Sequence, residues 1–283
     1  MIFDQITLTG SKTIKLFDLK NPLSTPYTAK TIDGLGPTDV DVTLAQTTQG
    51  TGIYVGRREQ LRQITVNVAM NPDYSVGQTP ETLREDIYQL RPVNTDLSLD
   101  FNLIRDDVVV AVTPVYIKKV EVTPFSKDTL LQLILASTSE FFHKKDPIVQ
   151  ENPMFDSIRP VFMNQGTVQT GFRMQVEFGK SVNTFGLRTN NPTTQMVVSD
   201  GEEGSGFLFH QADVLEFDTN IGNRGVWLHR SGTKTSVLEN LTTESTWLSL
   251  YPGSNQLDTI LHPPDPTSFT WKLLEHRPKY RGV

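Results

Sequence analysis

Glycine-rich loops followed by basic residues can bind phosphate, and residues 49–58, "QGTGIYVGRR", have that composition. A dinucleotide-binding fingerprint needs a buried strand before its first glycine and a helix at its last, so that the helix N-terminus meets the pyrophosphate. Neither flank fits, because polar residues precede the stretch and residues 62–70, "RQITVNVAM", alternate with the period of a strand. No Lys-Ser or Lys-Thr pair follows these glycines to complete a P-loop. We therefore expect Gly50, Gly52 and Gly56 to serve turns or a bulge in a β protein.

Acidic and histidine side chains are the next groups that could do chemistry. Asp39 and Asp41 could suggest a metal site or a glycosidase pair, but on a strand they simply share the solvent face. The turn pairs Asp106–Asp107 and Glu202–Glu203 are expected to keep hairpin tips soluble, and only a structure gives the carboxylate separation that a glycosidase needs. No HExxH or GxSxG motif occurs. We predict no catalytic, metal-binding or cofactor-binding residue, and expect none of these roles for the five histidines, His143, His210, His229, His262 and His276.

The composition narrows the classes of protein further. The 283 residues include no cysteine, which excludes disulfides, thiolate zinc sites, iron–sulfur clusters and a cysteine nucleophile. A formal net charge of −6 argues against a surface that grips nucleic-acid phosphates, but it leaves room for a channel in which DNA slides. The N-terminus lacks a signal-peptide pattern, and no apolar stretch has the length of a membrane span. We expect a protein made in the cytosol without a membrane partner.

Hydrophobic alternation indicates which elements position these residues. Nearly every ordered segment has period two, as antiparallel strands do. One helix is predicted after the N-cap Thr79 and Pro80, and Pro92 ends it. Its apolar stripe consists of Leu83, Ile87 and Leu90.

A polar stretch with two prolines, residues 143–154, interrupts the strand pattern and is the candidate linker. We therefore divide the chain into residues 1–145 and residues 146–283, each long enough to bury a core. Both halves are predicted to be β-sandwiches, because short strands recur between turn clusters. Three tryptophans of the second half are expected in its core, although an exposed indole could stack on a sugar ring. They are Trp227, Trp247 and Trp271.

Two stretches of the chain resemble the distal tail protein family of long-tailed bacteriophages. In the first half, "TIDGLGPTDVDVTLAQTTQGTGIYVGRREQLRQITVNVAM" shows a glycine-bearing loop, a polar excursion, a further glycine, an arginine and an alternating strand. These features are Gly34 and Gly36, residues 50–56, Arg62 and residues 64–70. In the second half, "NQGTVQTGFRMQVEF" and "GVWLHRSGTKTSVLENLTTESTWLSLYPGSNQL" are similar to the second domain of that family. The resemblance covers nearly the whole chain and rests on order, length and turn chemistry.

The resemblance implies a structural protein of the phage virion, located at the tail tip. Members of the family form hexameric rings through the N-terminal domain, a β-sandwich with a single α-helix and a long arm. The ring joins the tail tube protein to a tail tip, fibre or hub protein and leaves a channel through which DNA passes without specific binding. The second domain is implied to be a peripheral galectin-like sandwich. An OB-like barrel, which some relatives carry instead, has too few strands for this half.

The implied arm falls on the glycine-rich stretch. Head-to-tail contacts that close give a cyclic oligomer, and a loop at residues 45–60 could pair with the sheet edge of a neighbouring copy. Glycines would let this arm turn sharply, and arginines could bind carboxylates of the neighbour. The candidate ring-interface residues are Gly50, Gly52, Gly56, Arg57, Arg58 and Arg62.

Two other functions remain open at this point. The chain could be a galectin-like tail tip protein that binds carbohydrate or a receptor, although Trp227, His229 and Arg230 do not reproduce the galectin spacing. A glycan-cleaving enzyme on a β scaffold would need a working carboxylate pair. A mass of six chains favours the ring, glycan binding by a monomer or trimer favours the binding protein, and turnover lost on carboxylate mutation favours the enzyme.

Overall fold

The computed structural model describes residues 3–22, 24–46, 52–90, 98–122, 130–151, 160–190, 192–199, 209–262 and 264–283. Strands make up 57% of these described residues and helices 8%, so the predicted mainly β class with sandwich packing is confirmed. The chain divides into two compact units, Met1–Lys145 with Tyr280–Val283, and Asp146–Lys279.

The secondary structure is almost entirely short antiparallel strands. The strands that begin in the first unit are β1 (Gln5–Thr9), β2 (Thr13–Asp18), β3 (Tyr27–Asp33), β4 (Val40–Gln46), β5 (Gly52–Glu59), β6 (Gln63–Met70), β7 (Leu99–Arg105), β8 (Val108–Val122), β9 (Leu130–Ser137) and β10 (Phe142–His143), with helix α1 (Pro80–Gln89). They are followed by β11 (Ile148–Glu151), β12 (Val161–Asn164), β13 (Phe172–Phe178), β14 (Thr184–Asn190), β15 (Thr193–Ser199), β16 (Val214–Asp218), β17 (Gly225–Arg230), β18 (Thr233–Ser236), β19 (Gly253–His262), β20 (Phe269–His276) and β21 (Lys279–Tyr280). Single 3-10 turns occupy Tyr74–Val76, Leu238–Asn240 and Pro266–Ser268.

One antiparallel sheet builds the core of the first unit. Its strands pair in the order β2-β1-β7-β8-β9-β6-β3, and β10 attaches to β8. The end strands β2 and β3 approach each other, so the sheet curls around a single hydrophobic core. In β6, every second side chain from Ile64 to Met70 is buried, as the alternation predicts. Each such side chain contributes about 1.5–3 kcal/mol when it leaves water, which makes this core the main source of stability.

Helix α1 packs against that core. The Oγ1 atom of Thr79 accepts a hydrogen bond from the Thr82 N–H at 3.2 Å, and the Thr82 hydroxyl oxygen accepts one from the Thr79 N–H at 2.9 Å, which completes a capping box. The Tyr27 hydroxyl of β3 donates to the Leu83 carbonyl at 2.8 Å and ties the helix to the sheet. The predicted helix, its N-cap and its buried stripe are confirmed.

The last four residues of the chain belong to the first unit. Tyr280 is part of its hydrophobic core, and the Val283 N–H donates to the Leu35 carbonyl at 3.0 Å. From the sequence, residues 280–283 are expected in the second domain. The structure instead makes the first unit discontinuous, with the second unit inserted between residues 145 and 280.

The second unit is a sandwich of two antiparallel sheets. The larger sheet has the order β11-β20-β13-β16-β17-β18, and the smaller has the order β12-β19-β14-β15. Their inner faces share one core in which aromatic rings interlock. The Phe185 ring of the smaller sheet lies 5.5 Å from the Phe178 ring and 5.2 Å from the Phe269 ring of the larger, both in edge-to-face geometry. Trp271 is buried in this core as predicted, whereas Trp227 and Trp247 are only partly buried.

Candidate functional site

The hairpin arm, as we call the paired strands β4 and β5, overlaps residues 45–60, where the sequence predicts a loop that serves as an arm. Residues 52–59 form a strand instead of part of a loop. The hairpin arm forms a two-stranded sheet of its own, and within the described part of the chain neither strand pairs with any other strand. A bulge at Val55 interrupts the ladder beside Gly56. Gly50 lies outside the described residues, whereas Gly52, Gly56, Arg57 and Arg58 all lie in β5.

Arg62, which follows the hairpin arm, is buried and only 2% exposed. Its two terminal nitrogens donate four hydrogen bonds of 2.6–2.8 Å to main-chain carbonyl oxygens. Those carbonyls belong to Gly34, Gly36, Glu140 and Arg281. The guanidinium also lies over the Phe142 ring, with its Cζ atom 4.4 Å from the ring centroid. Burial lowers the pKa of Arg62, yet the guanidinium stays charged because an arginine side chain is not deprotonated in proteins.

Arg62 is therefore not available as an exposed contact of the arm, which corrects its predicted role. It instead fixes the base of the hairpin arm, because Gly34 and Gly36 precede β4 and Arg62 follows β5. Gly34 has a φ of 89°, and a Cβ atom there would lie 2.0 Å from the Gln63 carbonyl oxygen. Only glycine fits this close approach, so the glycine loop and the arginine form one anchor.

The structure places two of the three acidic pairs singled out in the sequence. Asp39 and Asp41 are both exposed, as predicted, and the Asp41 carboxylate accepts a hydrogen bond from the Gln60 amide at 2.9 Å. Asp106, at the tip of the β7–β8 hairpin, pairs with Lys20 at 3.1 Å. Glu202 and Glu203 lie outside the described residues.

Within the described ranges, no group of three or more His, Asp or Glu side chains is arranged to hold a metal ion. No helix in those ranges has both the length and the apolar character needed to span a bilayer.

The outer face of the larger sheet in the second unit gathers polar side chains from four neighbouring strands. We call it the polar face; it comprises Arg173, Gln175, Glu216, Asp218, Trp227, His229 and Lys234. The pairing register places Gln175 opposite Glu216 and Glu216 opposite Trp227. Sequence neighbours of opposite orientation, such as Leu215 and Phe217, point into the core instead.

Glu216 is the centre of the polar face, with a side chain only 3% exposed. Its Oε2 accepts hydrogen bonds from Gln175 at 2.6 Å and from Arg173 at 3.1 Å, and its Oε1 accepts one from Lys234 at 3.1 Å. The Nε2 atom of His229 lies 3.1 Å from Oε2. Burial alone would raise the pKa of Glu216, but these donors outweigh it and lower the pKa to about 2.

The three residues compared with the galectin pattern are only partly brought together. Trp227 and His229 lie on the polar face. Arg230 instead makes a bidentate ion pair with Asp213, with hydrogen bonds of 2.6–3.1 Å. Glu216 was not predicted as a site residue, although its place between Leu215 and Phe217 already indicated an outward-facing side chain.

No family model matches the chain, and no curated protein sequence matches it. Among solved structures, the Dit protein (gp 19.1) of phage SPP1, described as a paradigm of the hub adsorption apparatus in phages that infect Gram-positive bacteria, matches with a TM-score of 0.64. It is 11% identical, and the match covers 97% of this chain and 98% of that one. Two chains of the phage P2 baseplate in its activated conformation also match, each at 10% identity and with at least 99% of both chains covered. The TM-score is 0.45 for the structure with Ca and 0.43 for the structure with Sr. Those two scores are too low to compare folds. The fold of this chain, as the resemblance to distal tail proteins implied, is that of the SPP1 Dit hub protein.

Proposed function

We propose that this chain is a structural, non-enzymatic component of a phage tail hub, located at the tail tip of the virion. Six copies close a ring through the first unit, and the ring joins the tail tube protein to a tip, fibre or hub protein. The second unit serves as the peripheral, galectin-like domain. The observation that carries this proposal is the shared fold with SPP1 Dit over 97% of the chain, including both units.

The hairpin arm supports a role in assembly. An isolated two-stranded hairpin is marginally stable in water, so a ribbon of this kind gains most from packing against another surface. Two apolar side chains are exposed along it, Val55 at 62% and Leu61 at its base at 71%. An arm that reaches the sheet edge of the next copy makes a head-to-tail contact, and such contacts close into rings.

The charge of the chain suits a channel for DNA. Tight binding to duplex DNA comes from clustered Lys and Arg, whereas a conduit must let the duplex slide. With 26 basic and 32 acidic residues, the chain has a formal net charge of −6. DNA is therefore expected to pass through the proposed ring without specific binding.

The ring is tested by light scattering and negative-stain microscopy of the purified full chain. The proposal predicts a species of six times the 31.8 kDa chain mass and annular particles with six-fold symmetry. Particles that stay monomeric at all concentrations, with and without the tube and tip proteins, would contradict it.

A deletion variant tests whether the hairpin arm takes part in ring assembly. Deleting residues 47–55 shortens the hairpin arm, and we expect the six-chain species to be lost while both units remain folded by circular dichroism. Deleting residues 201–205, a polar segment of the second unit, is the matched control and should leave the mass unchanged. An unchanged mass after the arm deletion would remove the arm from the interface without excluding a ring formed by other contacts.

A further inference from the structure

One edge in the sheet of the first unit has no strand partner near the β7–β8 turn. Strand β8 pairs with β7 from Val108 to Val115 on one side. On its other side, β9 covers only Val115–Val122, and β10 meets β8 only at Val112. Within the described part of the chain, no strand therefore pairs with the second edge of Val108–Ala111. We call these four residues the β8 edge.

The end strands of the same sheet are better protected against pairing than the β8 edge. At β2, the Thr25 hydroxyl donates to the Lys15 carbonyl at 2.7 Å and so takes up a main-chain acceptor of that strand. Strand β3 carries the exposed Lys30, and lysine is a residue with which proteins protect sheet edges. The β8 edge contains neither lysine nor proline, and its three consecutive valines favour a strand partner.

Apolar surface is exposed beside the β8 edge. Val108 is 63% exposed, and so is Leu19 in the loop after β2. The neighbouring Lys20 ties that loop to the β7–β8 turn through an ion pair with Asp106 at 3.1 Å. The next residue of the turn, Asp107, is exposed and adds a negative charge. A partner would thus meet a preformed surface that is apolar with an acidic margin, which lowers the entropy lost on binding.

The hairpin arm has features that complement this surface. Val55 is an exposed apolar residue of β5, and Arg57 follows two residues later. In the ladder of the arm, Arg58 lies opposite Asp41, whereas Arg57 lies opposite Val42. Arg57 thus has no acidic residue as its cross-strand partner and supplies a positive charge for an acidic surface.

Twist also matches the arm to the β8 edge. The pairing register of β8 with β7 skips Val110, and the register of the arm skips Val55, so each strand carries a bulge. A bulge increases the local right-handed twist, and two-stranded ribbons twist more than wide sheets do. A strongly twisted edge therefore accepts a ribbon such as the arm more easily than it accepts a flat sheet.

We infer that the β8 edge is the acceptor to which the hairpin arm of a second copy adds as an extra strand. Val55 of the arm then packs on the apolar surface around Val108, and Arg57 lies near Asp107. The arm and the β8 edge are different surfaces of one chain, so the contact is head-to-tail and can close a ring. The inference rests on the proposed ring and names the surface that the arm meets.

Introduced thiols report this contact directly, because the chain has no cysteine of its own. Full-length Val55→Cys and Val108→Cys chains are co-expressed, supplied with the tube protein and treated with a short bismaleimide. We expect linked dimers with one chain of each kind, whereas each variant alone stays unlinked. A chain with both substitutions should give a ladder of bands up to six chains. Val55→Cys with Val76→Cys is the matched control and should give no link, since Val76 is a valine of the first unit with a similar exposure of 68%.

A lysine substitution tests the β8 edge itself. Val108→Lys gives this edge the kind of residue that protects β3, at a position exposed enough for the single chain to stay folded. We expect the dissociation constant of the ring to rise by about tenfold or more, because the contact would have to bury an ammonium group. Val76→Lys is the control and should leave the six-chain mass unchanged. Melting temperatures verify that each variant is folded.

The outcomes distinguish this inference from the proposed ring. If the wild-type chain forms the six-chain species but no link joins positions 55 and 108, the β8 edge is not the acceptor. The same conclusion follows if positions 55 and 76 link equally well, or if Val108→Lys and Val76→Lys change the ring alike. A wild-type chain that stays monomeric with the tube and tip proteins would overturn the ring and this inference together.

Discussion

At the scale of single residues, Arg62 is the side chain whose loss should cost the first unit most. Arg62→Ala removes all four donors and leaves the carbonyls of Gly34, Gly36, Glu140 and Arg281 without them. Leaving one buried polar group unsatisfied costs about 1–3 kcal/mol. Because water can reach some of these groups after truncation, we expect the free energy of unfolding of this unit to fall by about 3–5 kcal/mol. Chemical denaturation monitored by hydrogen exchange measures this free energy of unfolding separately for each unit.

A lysine at position 62 separates the effect of the positive charge from that of the planar guanidinium group. Arg62→Lys keeps the positive charge but replaces a planar fork by a single ammonium with three donors, so it should recover only part of the loss. Lys30→Ala, at an exposed position of β3, is the control and should change stability by less than about 0.5 kcal/mol. A fully stable lysine variant would show that charge alone, and not the fork, holds the base of the arm.

Glu216 makes the second unit sensitive to acid. Its pKa of about 2 in the folded state lies below the usual 4.5, so its contribution is fully present above about pH 4.5 and is lost as the pH falls towards 2. Glu216→Gln should remove that part of the pH dependence, of order 1–3 kcal/mol after solvent screening. Melting of wild type and variant between pH 2 and 6, followed by hydrogen exchange in the second unit, measures the difference.

Other carboxylates also lose their charge between pH 2 and 6. The contribution of Glu216 is therefore the difference between the curves of wild type and Glu216→Gln. The pKa of Asp265 is also lowered to about 2, first by the Lys180 side chain, and that of Asp213 is lowered too. Asp265→Asn at the surface serves as the control, and should alter the acid limb less than Glu216→Gln does. Parallel pH curves for wild type and Glu216→Gln would contradict the assigned role of Glu216.

Among the helices and strands, a local sequence pattern was sufficient to predict an element wherever one of its faces is buried. In strands β6 and β13 and in helix α1, strict alternation or a capped apolar stripe fixes which face meets the core. The β7–β8 hairpin was also predicted from its turn, where Asp106 and Asp107 adopt φ values of 50° and 62°.

Elements whose faces are both covered, or whose pattern is irregular, could not be predicted in this way. Strands β14, β15 and β19 were not predicted, and in β14 the buried run Phe185 to Leu187 hides the alternation. The segment "TWLSLY" alternates as a strand does, yet it makes only an isolated bridge at Leu250. Strand β8 runs unbroken through Pro114, although a proline between "VVVAV" and "VYIKKVEV" favours two separate strands. Pairing with β9 starts only at Val115, so on that side the proline displaces no ladder hydrogen bond.

The candidate sites, too, could be predicted only where they depend on a local sequence pattern. The hairpin arm could be placed from its glycines and alternating flanks, but the destination of the Arg62 side chain depends on carbonyls as distant in sequence as Glu140 and Arg281. The polar face likewise depends on the strand order that brings β13, β16 and β17 side by side. Such long-range neighbours follow from topology, which a local pattern does not specify.

At the scale of the whole molecule, the order of the chain makes the first unit depend on its last residues. The second unit is inserted after Lys145, and the chain then returns with Tyr280–Val283 to the core and to the base of the arm. Arg281 supplies one of the four carbonyls that hold Arg62, at 2.6 Å. Closing the unit in this way links the base of the arm, Glu140 and the C-terminal residues through the Arg62 side chain.

We therefore expect deletion of residues 280–283 to destabilise the first unit and leave the second nearly unchanged. The deletion removes Tyr280 from the core, the Val283 to Leu35 hydrogen bond and one acceptor of Arg62, for a loss of about 3–5 kcal/mol. Hydrogen exchange should become faster in β3, β6 and the base of the arm, with protection retained in β13 and β16. Tyr280→Phe is the control, since it keeps the ring in the core. Equal protection in both units after the deletion would mean that the first unit closes without its C-terminal residues.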